Sequence, residues 1–203
     1  MRNHNGNDKN FDDLFWADQI AKQILTREKF HYTSDKVPKF DEHTVKTSAS
    51  LSGVLHIGRL SDTIRSESVA IALKDAGVKT RFIWVAENMD PLRKVPKNVP
   101  KNFEKYIGVS VTDIPDPDNC HESYADHHME EYFKVVDQFV TTKMEKFSMR
   151  EEYKKGNFNP YIKKILEKID DVKEIQNRYR TNPLKKSWSP WTPICESCGK
   201  IVT

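Results

Sequence analysis

The sequence predicts an α/β domain built on a parallel sheet, and three observations carry that prediction. An extended, β-branched run at Thr44–Thr47 leads into small residues and a glycine. A long amphipathic run follows, opening at His56 and continuing to Lys74. A second β-rich run, Thr80-Arg81-Phe82-Ile83-Trp84-Val85, comes just after the helix-ending Gly77. Strand, helix and strand at this spacing form a βαβ unit, whose right-handed crossover leaves the strands parallel. Ligands of such sheets sit beyond the carboxyl ends of the strands, here at Ser48 to Gly58.

The totals bound the answer. A chain of 203 residues suffices for one good-sized domain or one and a half. With 37% hydrophobic and 31% charged residues it can bury a core under a polar surface. A net charge of +3 neither supports nor excludes a nucleic-acid partner, because distribution matters more than the sum. No apolar run is long enough to span a bilayer and no signal-peptide pattern is present, so no membrane partner is expected. Three cysteines, two of them in C-x-x-C, argue against a disulfide framework and fit a reducing, cytoplasmic setting.

Along the chain, Met1–Asp13 is rich in Asn and Asp and reads as a disordered tail. Phe15, Trp16, Ile20, Ile24 and Leu25 fall at helical spacing and predict a helix over Phe15–Arg27. In the helix after His56, one face is Ile57, Leu60, Ile64, Ser68, Ile71 and Ala72. Arg59, Arg65, Glu67 and Lys74 are expected to face water or a ligand. Ala86 to Asp90 follow the second strand and should face the same crevice as His56. Arg93–Pro100 is basic but broken by prolines, so an irregular loop.

Asp118 and Asn119 can cap a helix from about Cys120, carrying His121, Glu122, Tyr124, His127 and His128. An H-E-x-x-H zinc motif fails there, because Ala125 occupies the second histidine position. His121 and His128, seven apart, read as hydrogen-bonded packing residues sharing a face rather than as ligands. Val135, Val136, Phe139 and Val140 continue a buried face, and Lys146–Met149 is a further parallel strand. Phe158–Arg180 reads as one helix, then Thr181–Pro193 as an exit loop.

The stretch Ser50-Leu51-Ser52-Gly53-Val54-Leu55-His56-Ile57-Gly58-Arg59 carries the chemistry. Gly53 permits an unusual backbone or the close approach of a ligand. The helix start offers unpaired N–H groups and a partial positive charge suited to phosphate. His56 adds a donor, and Gly58 leaves room for a flat ring or a phosphate. Neither a Gly-Lys-Ser/Thr loop nor G-x-G-x-x-G is present. Alone, H-x-G is also what an ordinary capped turn looks like.

S-G-x-x-H-I-G resembles the "HIGH" signature of class I aminoacyl-tRNA synthetases, with Arg59 in the last position. Trp16-Ala17-Asp18, Arg93–Pro100, Ile114–Pro117 and Cys120–His127 resemble the archaeal-type class I lysyl-tRNA synthetase, in the right order from about Trp16 onward. The resemblance implies a Rossmann-like (HUP-type) parallel sheet with flanking helices and a helical insertion after Asp116. It implies ATP with Mg, lysine and tRNA-Lys as partners. Ser50, Ser52, Gly53, His56, Gly58 and Arg59 would hold ATP, with His56 and Gly58 as the catalytic pair. Ser48, Ser50, Glu87 and Asp90 would receive lysine, and His121 and Glu122 would form pocket wall. Arg59 stands where the family has a small polar residue; Ala86, Asn88, Met89 and Pro91 also depart from its pattern.

Cys195-Glu196-Ser197-Cys198-Gly199 is half of a zinc ribbon, and structural zinc wants four ligands. The family carries a second ligand pair further on. The expectation is therefore an N-terminal piece: 14–185 from the catalytic domain and 186–203 the start of a knuckle, with zinc bound in the complete protein. Lys143-Met144 with Lys146 lacks the serine spacing of the family's second signature loop, so this chain is not expected to complete the ligase reaction. Two alternatives stand beside this reading: another nucleotidyltransferase of the same fold, and a non-catalytic nucleotide- or RNA-binding module. The strings Arg93–Pro100 and Cys120–His127 favour the synthetase.

Overall fold

A computed structural model describes residues 13–31 and 33–201, so the expected tail lies almost wholly outside the described residues. The elements are α1 (Trp16–Thr26), β1 (His43–Ser50), α2 (Ile57–Asp75), β2 (Thr80–Glu87), a 3-10 stretch (Lys101–Tyr106), α3 (Tyr124–Val136), β3 (Glu145–Ser148), α4 (Met149–Lys154), α5 (Asn159–Glu167) and α6 (Ile169–Asn177). The three strands form one open parallel sheet in the order β1-β2-β3, with flanking helices, as the βαβ reading requires. Among the described residues no helix is long and apolar enough to cross a membrane.

The chain divides into two compact units. One holds the residues up to Ser48, His56–Trp84 and Val135–Lys146; the other holds Ala49–Leu55, Val85–Lys134 and the residues from Phe147 onward. The division falls within all three strands, and their carboxyl ends belong to the second unit.

In the first unit, Ala17 and Ala21 of α1 pack on Ala72 and Leu73 of α2, with Trp16, Ile24, Val45 and Val69 around them. Small residues let the helix backbones come close. The buried face of α2 is Leu60, Thr63, Glu67, Ala70, Ala72 and Leu73, which corrects three expectations. Ile57 (78%) and Ile71 (37%) are exposed, and Glu67 is buried rather than facing water. Glu67 can be buried because its Oε1 accepts the N–H groups of Thr141 (2.7 Å) and Thr142 (2.6 Å) and the Thr141 hydroxyl. A carboxylate so supplied with donors is tolerated away from water. β2 and β3 are further tied by a two-pronged pair, the Arg81 guanidinium donating to Glu145 at 2.9 and 2.7 Å.

In the second unit, Leu51, Ala86, Leu92, Val111, Ile114, Tyr124 and Ala125 are fully buried. Asp90–Leu92 runs antiparallel to Gly108–Val111, with Leu92 N–H on Val109 O, Gly108 N–H on Leu92 O and Val111 N–H on Asp90 O. Helix α3 begins at Tyr124, not near Cys120. The Asp116 carboxylate takes the N–H groups of Asp118, Cys120 and His121, so these residues wrap around it, with Asn119 in the left-handed region at φ 56°. Ser123 then accepts the Asp126 N–H on its hydroxyl and donates that hydroxyl to the Asp126 carboxylate, which supports the first turn of the helix.

Further along, Tyr132, Phe133 and Val136 are buried whereas Val135 and Phe139 are exposed. The expected Phe158–Arg180 helix breaks at Lys168 (φ −116°, ψ 32°) into α5 and α6. The apolar periodicity runs through that break, which is why the sequence reads as one helix.

Candidate functional site

His56 is the cap of α2. Its backbone is extended (φ −90°, ψ 170°) and its Nδ1 accepts the Gly58 N–H at 3.1 Å. That bond assigns the tautomer: the proton sits on Nε2, which becomes the ring's outward donor. A Cβ on Gly58 would lie 2.8 and 2.9 Å from His56 Cε1 and Nδ1. The room that Gly58 provides is therefore taken by the His56 ring itself. Arg59 is half-exposed, with its guanidinium 3.8 Å from Asp62. Ser48 lies near the end of β1, half-buried.

In the second unit, Ser50 closes β1 and the chain bends at Ser52 and Gly53. Gly53 is outside the left-handed region. What it supplies is space, since a Cβ there would sit 3.3 Å from Pro96 Cγ and 3.9 Å from the Tyr124 hydroxyl. Glu87 ends β2, and Glu87 and Asp90 are both half-exposed. Between them Asn88 is buried. It donates to Ser148 Oγ (2.9 Å) and accepts the Arg150 N–H (3.0 Å), while its own carbonyl accepts the Ser110 hydroxyl. Arg150 also donates to Thr112 and pairs with Asp113. Asn88 is thus the knot joining the carboxyl ends of β2 and β3.

Four side chains converge after the bend at Asp116. Cys120 Sγ lies 3.1 Å from Asp116 Oδ2, 3.0 Å from His121 Nδ1 and 3.4 Å from His127 Nδ1. Asp116 Oδ1 is 3.1 Å from His127 Nδ1. Ligands about 2.0–2.3 Å from a tetrahedral ion are spaced about 3.3–3.8 Å from one another, close to these separations. One thiol, two imidazoles and one carboxylate make a donor set that zinc accepts. Burial opposes the charge on Asp116, but the N–H groups of Asp118, His121 and Cys120 and the Cys120 thiol hold its carboxyl far below the usual range. The same carboxylate pushes the Cys120 thiol up. Hydrogen bonding to Glu130, then to Asp116, pushes His121 up. Such an outer carboxylate on the far ring nitrogen is what holds a ligating histidine in place. Glu122 is exposed and lies outside this cluster.

The cysteine knuckle is also formed. Cys195 N–H donates to Lys200 O, Gly199 N–H to Cys195 O, and Gly199 takes φ 68°. The Cys195 thiol is pushed down by the N–H groups of Cys198 and Ser197, which point at its sulfur. The hairpin docks through Ile201 N–H on Gly108 O. A thiolate favoured by two backbone N–H groups suits a metal, and the pair supplies two of the four donors a structural zinc needs.

The family model described as "tRNA synthetases class I (K)" matches residues 14–203. The chain belongs to that family. It is 34% identical over 190 residues to the lysine–tRNA ligase of Methanocaldococcus jannaschii, covering 94% of this chain and 34% of that protein. It is 35% identical over 191 residues to that of Thermococcus kodakarensis (92% and 34%), and 31% identical to that of Methanosphaera stadtmanae (93% and 34%). The chain thus spans about a third of the length of these relatives.

Within this class I chain, sequence reasoning found the turn and the knuckle but missed the Asp116–Cys120–His121–His127 cluster. The available signal was the D-x3-C-H-x5-H spacing. It was masked by reading Cys120–His128 as one helix, which would splay those side chains around its axis.

Proposed function

We propose that this chain contributes the nucleotide-binding part of a lysine–tRNA ligase, which uses ATP to activate lysine and then transfers it to tRNA-Lys. The observation that carries the reading is His56, whose ring is folded onto the Gly58 N–H so that Nε2–H is the outward donor at the start of α2. Phosphate oxygens are the natural acceptors for such a donor beside a helix start. In this reading no side chain forms a covalent bond. The lysine carboxylate attacks the α-phosphate and pyrophosphate leaves, while the protein orients the reactants and stabilises developing charge. Ser50, Ser52, Gly53, His56 and Arg59 serve ATP, with Gly58 making room for the His56 ring; Glu87 and Asp90, with Ser48 and Ser50, serve the ammonium groups and carboxylate of lysine. Magnesium travels with the triphosphate and neutralises part of its charge. Zinc is assigned a structural role at Asp116, Cys120, His121 and His127, on the strength of that convergent donor set, and a share of a second ion at Cys195 and Cys198. His121 then acts as a ligand, not as pocket wall.

The test is equilibrium binding of Mg–ATP and of lysine to the chain, with Glu87→Gln and Asp90→Asn as variants. The reading expects either variant to weaken lysine about tenfold and ATP little. Equal lysine binding by all three forms overturns the lysine assignment.

A further inference from the structure

The bend before α2 is backed by a residue that no motif announces. Among the described residues, Ser52 to Leu55 make no backbone–backbone hydrogen bond of their own, and Val54 is 59% exposed. Their support comes from behind. Tyr124 is fully buried, and its hydroxyl donates to the Ser52 carbonyl at 3.2 Å across 72 positions of sequence. The ring cannot swing away: Phe103 lies 6.5 Å from it and the buried His128 ring stands edge-on at 4.6 Å. Pro96 stands beside Gly53, 3.3 Å from where a Cβ on Gly53 would be. Tyr124 is also the first residue of α3, with its N–H on Ile114 O, so the start of the helix sets where the hydroxyl points.

A buried phenol is unfavourable unless its hydroxyl is bonded, and an apolar ring would fill the same space without that demand. Burial pushes the Tyr124 hydroxyl up to about 12, so it remains a donor throughout the neutral range.

We propose that Tyr124 is a positioning residue for the nucleotide: by holding the Ser52 carbonyl it fixes the Ser52–Gly53 bend in the shape that presents the signature turn to phosphate. The proposal rests on reading that turn as the nucleotide site. It makes the bend a part supplied from α3, and explains why Gly53 must be small on the side away from solvent.

The test is Tyr124→Phe in the whole chain, which keeps the ring and removes the donor. Two quantities are read: the NMR backbone order parameters of 50–55, and the dissociation constant of Mg–ATP. Order parameters at 52–55 are expected to fall from the rigid range of about 0.85 toward about 0.6, with α1 and the middle of α2 unchanged. ATP should weaken about fivefold to tenfold, the factor that loss of one ordinary hydrogen bond produces. Unchanged order parameters at the bend overturn the proposal, and so does a fall spread equally over α1 and α2. A local fall with unchanged ATP affinity also overturns it, because the bend would then not matter to the nucleotide. If the unaltered chain fails to bind ATP while the local fall occurs, the support of the bend stands and the nucleotide reading of the turn falls. If the unaltered chain binds ATP and neither quantity moves in the variant, the reading of the turn stands and the role of Tyr124 falls.

Discussion

The signature turn and the Asp116 cluster present polar groups in opposite ways. The turn is thinly bonded, built of small residues and half-exposed, with a histidine whose one nitrogen is satisfied by its own helix and whose other faces outward. The cluster closes four donors on a single point, around a carboxylate with no exposed side-chain surface. The first arrangement suits a large ligand with many acceptors that comes and goes. The second suits a small ion that stays. Openness and dense bonding are the contrast on which the proposed roles of substrate site and structural centre rest.

The comparison can be broken most sharply at Asp116. Asp116→Ala leaves the N–H groups of Asp118, Cys120 and His121 without their acceptor and removes one of the four proposed metal donors. We expect about 3 kcal/mol of lost stability in urea denaturation. With Co2+ added as a probe, we also expect the part of the cobalt–thiolate absorbance that is lost in Cys120→Ser to be lost in this variant as well. A variant as stable as the parent would make the cluster a surface accident.

Glu67→Leu probes the packing of α2, since it strands the N–H groups of Thr141 and Thr142. A loss of about 2 kcal/mol is expected, read by the same denaturation. Gly53→Ala should be milder, about 0.5–1 kcal/mol, because Pro96 need yield only a few tenths of an ångström. Its larger effect should be on ATP affinity, which contrasts the turn with the cluster directly.

The smallest effect is expected at Glu145→Gln. Hydrogen bonding to Arg81 holds the Glu145 carboxyl below its ordinary range, so its contribution is present above that range and is lost as pH falls through the lowered folded value. The gap in melting temperature between parent and variant should be small at neutral pH. It should shrink as pH falls below about 4.3. A gap that widens in acid would reverse the sign of the interaction.

Legibility followed how contiguous each feature is. The βαβ unit, the His56 turn and the cysteine knuckle each lie within one short string, so residue types and spacing sufficed. Glu67 with Thr141, and Tyr124 with Ser52, join distant strings, and nothing local marks them. The start of α3 differs for a physical reason: the Asp116 carboxylate gathers the N–H groups of Asp118, Cys120 and His121 around itself, and Asn119 takes the left-handed backbone that this wrapping needs, so the chain turns there and the helix starts later. A polar residue on α2 was placed outward by type, whereas donors from Thr141 and Thr142 drew Glu67 inward.

The most direct test of the account is the dissociation constant of Mg–ATP for the chain and for His56→Ala. The account predicts saturable binding that weakens about tenfold in the variant, as loss of one hydrogen bond to a phosphate requires. Equal affinity in both forms, or no saturable binding by the parent chain, would contradict it.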